Sequence, residues 1–522
     1  MIKKEIEKLI PPDTEFSVGV PEQSEYGDYS SNAALVLAKH TKRNPKEVAE
    51  EIKNQIVPRL NSGQFPLVLR AEIAGPGFLN FYIKHDALYT TLAKYIVQKK
   101  PIFARATRGE AKKICLEFVS ANPTGPLTMA NGRGGFYGDV LANILEAVEH
   151  KVTREYYIND AGNQVRLLGE SILAAEGNPP AGGPDREELY KGEYIKALRG
   201  KSAQQATAYL LKQIKASLKK AGISFDMWFS EKNNIHKTQA LKKTLNFLQE
   251  KKLVQEHEGA LWLGVPENDG AVIIKSDGVP TYFLADLAYH YDKFLTRTFD
   301  CAINIWGADH HGYVARMKRG VEALGVDSHR LHIIIMQLVR LVSGGKEVRM
   351  SKRTGDFVTL DDLLDMVGVD AARWFFLERS PDTHMDFNLD LAKERSKKNP
   401  VYYVQYAHAR ACSILKKSKI KNQKSKIQTI NLLQESSELA LIKKLLQLPE
   451  VVEDIASDYQ VQRLPKYAYE LARAFTDFYE NCRVIDTTNQ ELTKARLYLV
   501  QAAQKTLSKT LALMGIDAPE AM

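Results

Sequence analysis

Four short segments carry residues whose types and spacing could do chemistry. The first is Leu116-Glu-Phe-Val-Ser-Ala-Asn-Pro-Thr-Gly-Pro-Leu-Thr-Met-Ala-Asn-Gly-Arg-Gly-Gly-Phe-Tyr-Gly138. An apolar strand over 114–119 runs into a turn built by Pro123, Gly125 and Pro126, and a glycine-rich helix start follows. That arrangement suits phosphate, because free backbone N–H groups and the helix dipole both point at an anion. Glu117, Ser120 and Asn122 fall at the strand's C-terminal edge, where open α/β sheets bind ligands. Gly132, Gly134 and Gly138 do not spell G-x-G-x-x-G, and no strand-end acid follows at the right distance, so a dinucleotide site is rejected. Close helix–strand packing is the plain alternative use of these glycines.

The second segment, Gly344-Gly-Lys-Glu-Val-Arg-Met-Ser-Lys-Arg-Thr-Gly355, is a basic loop that starts at a Gly-Gly hinge. Lys352 and Arg353 beside Ser351 can neutralise a polyphosphate, although the spacing is not that of a P-loop. A surface hairpin with ordinary charges is the alternative. In the third, Thr281-Tyr-Phe-Leu-Ala-Asp-Leu-Ala-Tyr-His290, a helix would put Tyr282 and Asp286 on one face. The fourth, Trp306-Gly-Ala-Asp-His-His-Gly-Tyr313, offers Asp309, His310 and His311, which with Asp286 and His290 make a list of metal ligands. Adjacent histidines point in different directions and no carboxylate spacing supports a two-metal cluster, so a protein metal site is not expected.

These segments need a scaffold, and the chain is long enough for about three domains at 522 residues. Residues 1–105 read as a small α/β unit, with helices over 32–39 and 45–52 and strands over 67–73 and 78–83. Residues 98–101 look like a linker. From 106 to 384, apolar runs at 114–119, 301–306 and 331–336 alternate with helical stretches, which predicts a parallel sheet. An insertion into that unit is expected at about 165–265. From 385 to 522 Gly and Pro are scarce and the apolar period is helical, which predicts a bundle. The basic run 416–426 reads as a solvated loop.

Composition narrows the class. With 44% hydrophobic and 26% charged residues the chain is globular rather than disordered. A net charge of +9 permits a polyanion partner. Cys115, Cys301, Cys412 and Cys482 are scattered without a CxxC pair, which fits a reducing cytosol. Neither a membrane span nor a secretory signal is visible.

In order and in wording, these segments resemble bacterial arginyl-tRNA synthetase, a class I aminoacyl-tRNA synthetase. The resemblance runs on through Tyr156-Tyr-Ile-Asn-Asp-Ala-Gly-Asn-Gln164, Val369-Asp-Ala-Ala-Arg-Trp-Phe-Phe376, Asn399-Pro-Val-Tyr-Tyr-Val-Gln-Tyr-Ala-His-Ala-Arg410 and Gly515-Ile-Asp-Ala-Pro-Glu-Ala-Met522, nearly the whole chain. It implies a Rossmann-like catalytic domain between an N-terminal domain that touches the tRNA elbow and a helical anticodon-binding domain. It implies an enzyme that joins L-arginine to ATP, with Mg²⁺ in the substrate complex, and passes the arginyl group to tRNA(Arg). A cytoplasmic monomer is implied too.

Residue by residue, the resemblance makes Glu117 and Asp286 the guanidinium acids and Tyr282 the group that orients the side chain. Ser120 and Asn122 fall at the amino and carboxyl end. Ala121, Pro123, Thr124, Gly125, Pro126, Leu127, Met129, Ala130, Gly132, Asp309, His310, Met350 and Ser351 fall in the ATP region. Lys352 matches the second lysine of the Lys-Met-Ser-Lys loop, and Arg349 replaces the first. Asn32, Tyr406, Arg410 and Met522 fall on the tRNA side; helix capping is the other use for Asn32. Of Tyr402, Tyr403, Tyr406, His408 and Arg410, some must be core.

One slot departs from the family. Where it carries His-Ile-Gly-His, this chain reads Thr128-Met129-Ala130-Asn131. Thr128 and Asn131 can donate to phosphate but carry no charge, and losing one such donor typically costs on the order of 10²–10³ in rate. Two readings result: a working synthetase with an unusual signature, or an adenylation-impaired tRNA-binding paralogue or inactivated variant. The retained Glu117, Asp286, Arg349 and Lys352 favour the enzyme. A metal-dependent phosphoesterase built on Asp309, His310 and His311 lacks any further ligand motif.

Overall fold

A computed structural model describes residues 2–11, 15–21, 23–97, 111–178, 183, 186–265, 270–348, 358–418 and 429–522. The 98–101 segment and the greater part of the 416–426 run lie outside these residues.

In the N-terminal unit the helices Ala33–Thr41 and Pro45–Asn61 pack on a four-stranded antiparallel sheet that pairs Val68–Ala74 with Phe78–Ile83. The turn between those strands needs a residue free of Cβ. Gly77 has φ +137°, and a Cβ there would sit 2.9 Å from the Pro45 carbonyl oxygen.

The central unit is built on a five-stranded parallel sheet in the order Leu331–Met336, Cys301–Gly307, Lys113–Glu117, Lys151–Ile158, Met227–Ser230. Apolar residues on both faces of Lys113–Glu117 and Cys301–Gly307 are buried, as expected of strands covered on two sides. The chain leaves Lys113–Glu117 toward one edge and later returns on its other side. The crevice beyond Glu117 and Gly307 is therefore a topological switch point, the place where such sheets bind ligands. The helix Met129–Ala147 packs tightly against this sheet. A Cβ on Gly138 would collide with the Phe118 ring, one on Gly132 would lie 2.7 Å from Leu360 Cδ1, and one on Gly135 2.9 Å from Ile223 Cδ1. These glycines serve packing.

Two expected boundaries are corrected. The 165–265 stretch is not one insertion, because Met227–Ser230 inside it is an edge strand of the central sheet. The helices Asn163–Ala175 and Ala203–Lys220 form the crossover leading to it. A separate antiparallel sheet, Val254–His257, Ala260–Leu263 and Ala271–Ile274, follows and runs past 265. A four-residue strand is too short for its pattern to show against helical surroundings. Nor does the bundle begin at 385. Met385–Asn388 is a strand paired in parallel with Val339–Ser343, so the central unit extends beyond 384. Its buried–exposed alternation fits a strand, but covers only four residues.

The bundle comprises Pro400–Lys417, Ser436–Leu446, Leu448–Asp458, Arg463–Asn481 and Gln490–Leu513. The N-terminal unit docks on it through Lys3 Nζ to Asp454 at 2.5 Å, the Tyr29 hydroxyl to Glu450 at 2.7 Å and Lys443 to Asp28 at 2.5 Å. The central unit is joined to it by Arg373. That buried guanidinium donates to Asp139 Oδ2 (2.8 Å), Gly222 O (2.9 Å), Met514 O (3.0 Å) and Ala221 O (3.1 Å). Gly515, at φ +65°, leaves the guanidinium room that a Cβ would fill.

Candidate active site

A cavity of about 860 Å³ opens at the switch point. Glu117, Ser120, Asn122 and Asp286 all line it, so four of the five residues assigned to arginine meet. The backbone bends sharply to reach it. Val119 and Ser120 have φ of 67° and 37°. A β-branched residue with positive φ stores strain, and such residues gather at functional sites. The bend lets Ser120 Oγ donate to Glu117 Oε1 (3.1 Å) and accept from Tyr157 N (3.1 Å).

Asp286 lies on the helix Tyr282–Tyr291 and accepts a hydrogen bond from the Tyr313 hydroxyl at 2.6 Å. Burial pushes its carboxyl up to about 7, the Tyr313 bond opposes this, and the charges of Glu231 and Glu117 add to the rise. Tyr282, one turn earlier, is 60% exposed and does not line this cavity. It borders a second cavity of about 650 Å³ that shares Asp286, His310 and Tyr313 with the first.

Sequence reasoning missed three charged or polar groups here. Glu231 is buried directly after the strand Met227–Ser230, where His236 Nε2 lies 2.9 Å from its Oε1 and the Asn159 amide donates to its Oε2 at 3.2 Å. Tyr313 stood in a quoted motif without a role. Lys293 is buried, with Nζ 2.7 Å from Glu117 Oε2. Burial works against its charge, but Glu117, Cys115 and Glu155 outweigh that and raise its pKa. Glu117 thus has a cation beside it, whereas Asp286, which lines the cavity together with Glu187, Glu188 and Asp309, has the Tyr313 hydroxyl as its hydrogen-bond partner.

Ala121, Thr124, Gly125, Pro126, Asn131, Asp309 and His310 line the same cavity. Pro123, Leu127, Thr128, Met129 and Gly132 are buried behind them, and Ala130 is exposed. Thr128 caps the helix Met129–Ala147, and Asn131 Oδ1 accepts from both its backbone N and its hydroxyl, each at 2.9 Å. His310 lines this cavity, whereas His311 faces another. Arg349, Met350, Ser351 and Lys352 lie outside the described residues. The hairpin leading to them, Val339–Ser343 and Lys346–Val348, turns at Gly344 and Gly345 with φ of +58° and +72°.

Three of the four residues assigned to tRNA also converge. Tyr406, Arg410 and Met522 line a groove of about 590 Å³ on the bundle. The Arg410 guanidinium lies 4.8 Å from the Tyr406 ring centroid and 4.7 Å from that of Tyr479. His408 faces inward, buried against Pro519 O (2.9 Å), whereas Tyr403 is half-buried and packs on the exposed Tyr469. Asn32 stands at the helix start but does not cap it, since its Oδ1 accepts from Ser17 N at 2.7 Å.

Comparison with known proteins agrees with this layout. Residues 1–83 match the arginyl tRNA synthetase N terminal domain, 185–406 the class I (R) tRNA synthetase catalytic domain, and 404–522 the DALR anticodon binding domain. The chain is 42% identical to an arginine–tRNA ligase of Heliobacterium modesticaldum, over 98% of this chain and 94% of that one. It is 43% identical to one from Desulforamulus reducens, over 100% and 96%. The fold superposes on Thermus thermophilus arginyl-tRNA synthetase with a TM-score of 0.77 at 22% identity, covering 100% of this chain and 98% of that one. With relatives this similar along nearly its full length, the chain belongs to the arginine–tRNA ligase family.

Proposed function

We propose that this chain is an arginine–tRNA ligase and that the switch-point cavity is where it activates L-arginine. The supporting observation is that Asp286, a polar strand end and a phosphate-type helix start share one cavity. A domain that only bound tRNA would have no use for its acidic wall.

The guanidinium pairs with Asp286, with Glu231 adding negative charge behind it. Ser120 and Asn122 take the amino and carboxyl end. ATP enters as its Mg²⁺ complex, with its phosphates toward the N-terminus of Met129–Ala147 and its adenosine toward Asp309 and His310. The arginine carboxylate attacks the α-phosphorus and pyrophosphate leaves. Arg349 and Lys352 stabilise the charge that builds up, assisted by Thr128 and Asn131. The tRNA 2′-hydroxyl then attacks the acyl carbon and AMP leaves. Tyr406, Arg410 and Met522 meet unstacked bases of tRNA(Arg) by stacking and charge, and the N-terminal unit meets the elbow. No described helix is long and apolar enough to cross a membrane; a cytoplasmic monomer completes the reading.

The test is arginine-dependent ATP–pyrophosphate exchange, run with and without tRNA(Arg). Exchange is expected with tRNA. Its absence in both arms would remove the assignment.

A further inference from the structure

The turn between Glu117 and the helix Met129–Ala147 is held by two tyrosines that do not belong to it. Near its start, the Tyr156 hydroxyl donates to the Ala121 carbonyl at 2.7 Å. Further along, Tyr194 leans on Gly125, where a Cβ would lie 3.3 Å from the phenol oxygen and 3.4 Å from Cζ. Tyr194 sits on a single helical turn, Glu193–Lys196, that starts from Gly192 at φ +121°. The segment around it is bolted to the crossover helix Asn163–Ala175. Arg186 pairs with Glu170 (3.1 Å), Tyr190 N donates to Ser171 Oγ (2.9 Å), and Arg199 donates to the Ala175 carbonyl (2.6 Å). Ile195 and Leu198 share a buried cluster with Leu168 and Ile172, and the Tyr190 hydroxyl donates to the Gln164 amide oxygen. Gln164, Tyr190 and Tyr194 all line the cavity.

The turn needs such support. Between residues 118 and 125 its own backbone bonds are Ser120 N to Phe118 O (2.9 Å) and Thr124 N to Asn122 O (2.8 Å). Val119 and Ser120 hold positive φ, a conformation that persists only where the surroundings over-determine it. Gly125 has no side chain with which to anchor itself. Yet this turn carries Ser120 and Asn122 and leads into the helix start, so its shape sets the distance between the two reacting groups. A displacement of about 1 Å at such a place can cost about 10²-fold in rate, and a loop is that precise only where packing fixes it.

We propose that Tyr194 is a positioning residue whose ring buttresses the turn at Gly125, so that the carboxylate held at Ser120 and Asn122 stays aligned with the α-phosphate at the helix start. This rests on the arginine-activating reading above and gives that site a support from the crossover segment.

The experiment measures the single-turnover rate of arginine activation, with tRNA present and enzyme in saturating excess over ATP, in wild type, Y194F, Y194A, G125A and G125A/Y194A. That rate does not depend on the share of enzyme that is folded, so a loss of stability alone leaves it unmoved. Y194A should be about tenfold slower, with the steady-state arginine and ATP KM values each within about threefold of wild type. Y194F keeps the ring and should stay within about threefold in rate. G125A pushes the ring aside and should slow the wild type by about threefold but Y194A by less than about 1.5-fold, because there is no ring left to push. Should Y194A not fold, Y194L takes its place in both comparisons. A Y194A rate within about twofold of wild type, a Y194F as slow as Y194A, an equal effect of G125A in both backgrounds, or misfolding of both Y194A and Y194L would assign Tyr194 to the core and overturn the proposal. A wild type without arginine-dependent exchange would overturn the functional assignment instead.

Discussion

The binding of arginine should depend on pH through Asp286. Its carboxyl is pushed up to about 7, so near neutrality the free enzyme is divided between an anion that pairs with a guanidinium and an acid that does not. The guanidinium keeps its charge throughout. With a midpoint of about 7, the ionised share is roughly a tenth at pH 6 and nine-tenths at pH 8, so the arginine KM should fall about tenfold across that window. His290, held near 3, contributes nothing there. The stability of the ligand-free protein should move the opposite way. An unfolded aspartate loses its proton near 3.8 and the folded one near 7, so stability falls as pH rises between those values and stays lower above them. Arginine in excess should flatten this loss. The assay is arginine KM at pH 6, 7 and 8 with tRNA and ATP saturating, in wild type, Asp286→Asn and Glu231→Gln. Asp286→Asn should bind arginine on the order of 10²-fold more weakly with no slope. Glu231→Gln should move the midpoint downward, since it removes the charge most responsible for the rise after burial. A flat wild-type profile, or the same slope in Asp286→Asn, would refute the reasoning.

Other perturbations probe the scaffold and its remaining surfaces. Gly138→Ala gains about 1 kcal/mol of helix propensity but drives a methyl group into the buried Phe118 ring; the clash should win by about 1–3 kcal/mol and lower the melting temperature, and an unchanged one would mean that the ring yields freely. Arg410→Ala should raise the tRNA KM about tenfold, since it removes a cation stacked between two rings, and leave the arginine and ATP KM values unchanged. Thr128→His combined with Asn131→His should raise the exchange rate by up to about 10²-fold by supplying charged donors at the α-phosphate. No gain would place that role on other residues.

Much of this architecture was legible before any coordinates. Lys113–Glu117, Cys301–Gly307 and Leu331–Met336 are apolar runs bounded by turns, and a strand-end acid followed by a glycine-rich helix start announces a switch point. The i,i+4 reading puts Tyr282 and Asp286 on one helix face, and both border the second cavity. Asp286 faces both, and Tyr282 only the outer one. What stayed hidden depends on distance along the chain. Lys293 sits in a stretch that reads as an ordinary amphipathic helix end, and its partner Glu117 is 176 residues away. Glu231 follows a strand too brief to notice. The strand Met385–Asn388 is legible only through its partner Val339–Ser343. A local pattern reports which way a side chain faces; it does not report what waits for it there.

The Arg373 rivet has a consequence for how the protein comes into being. One of its four acceptors, the Met514 carbonyl, is translated 141 residues after it. Until then the guanidinium, seated between Asp139 and the end of the crossover helix, lacks a bond that it has in the finished molecule. One guanidinium therefore ties the helix Met129–Ala147, through Asp139, to the last helix of the bundle, so that a substitution at either end is felt at the other.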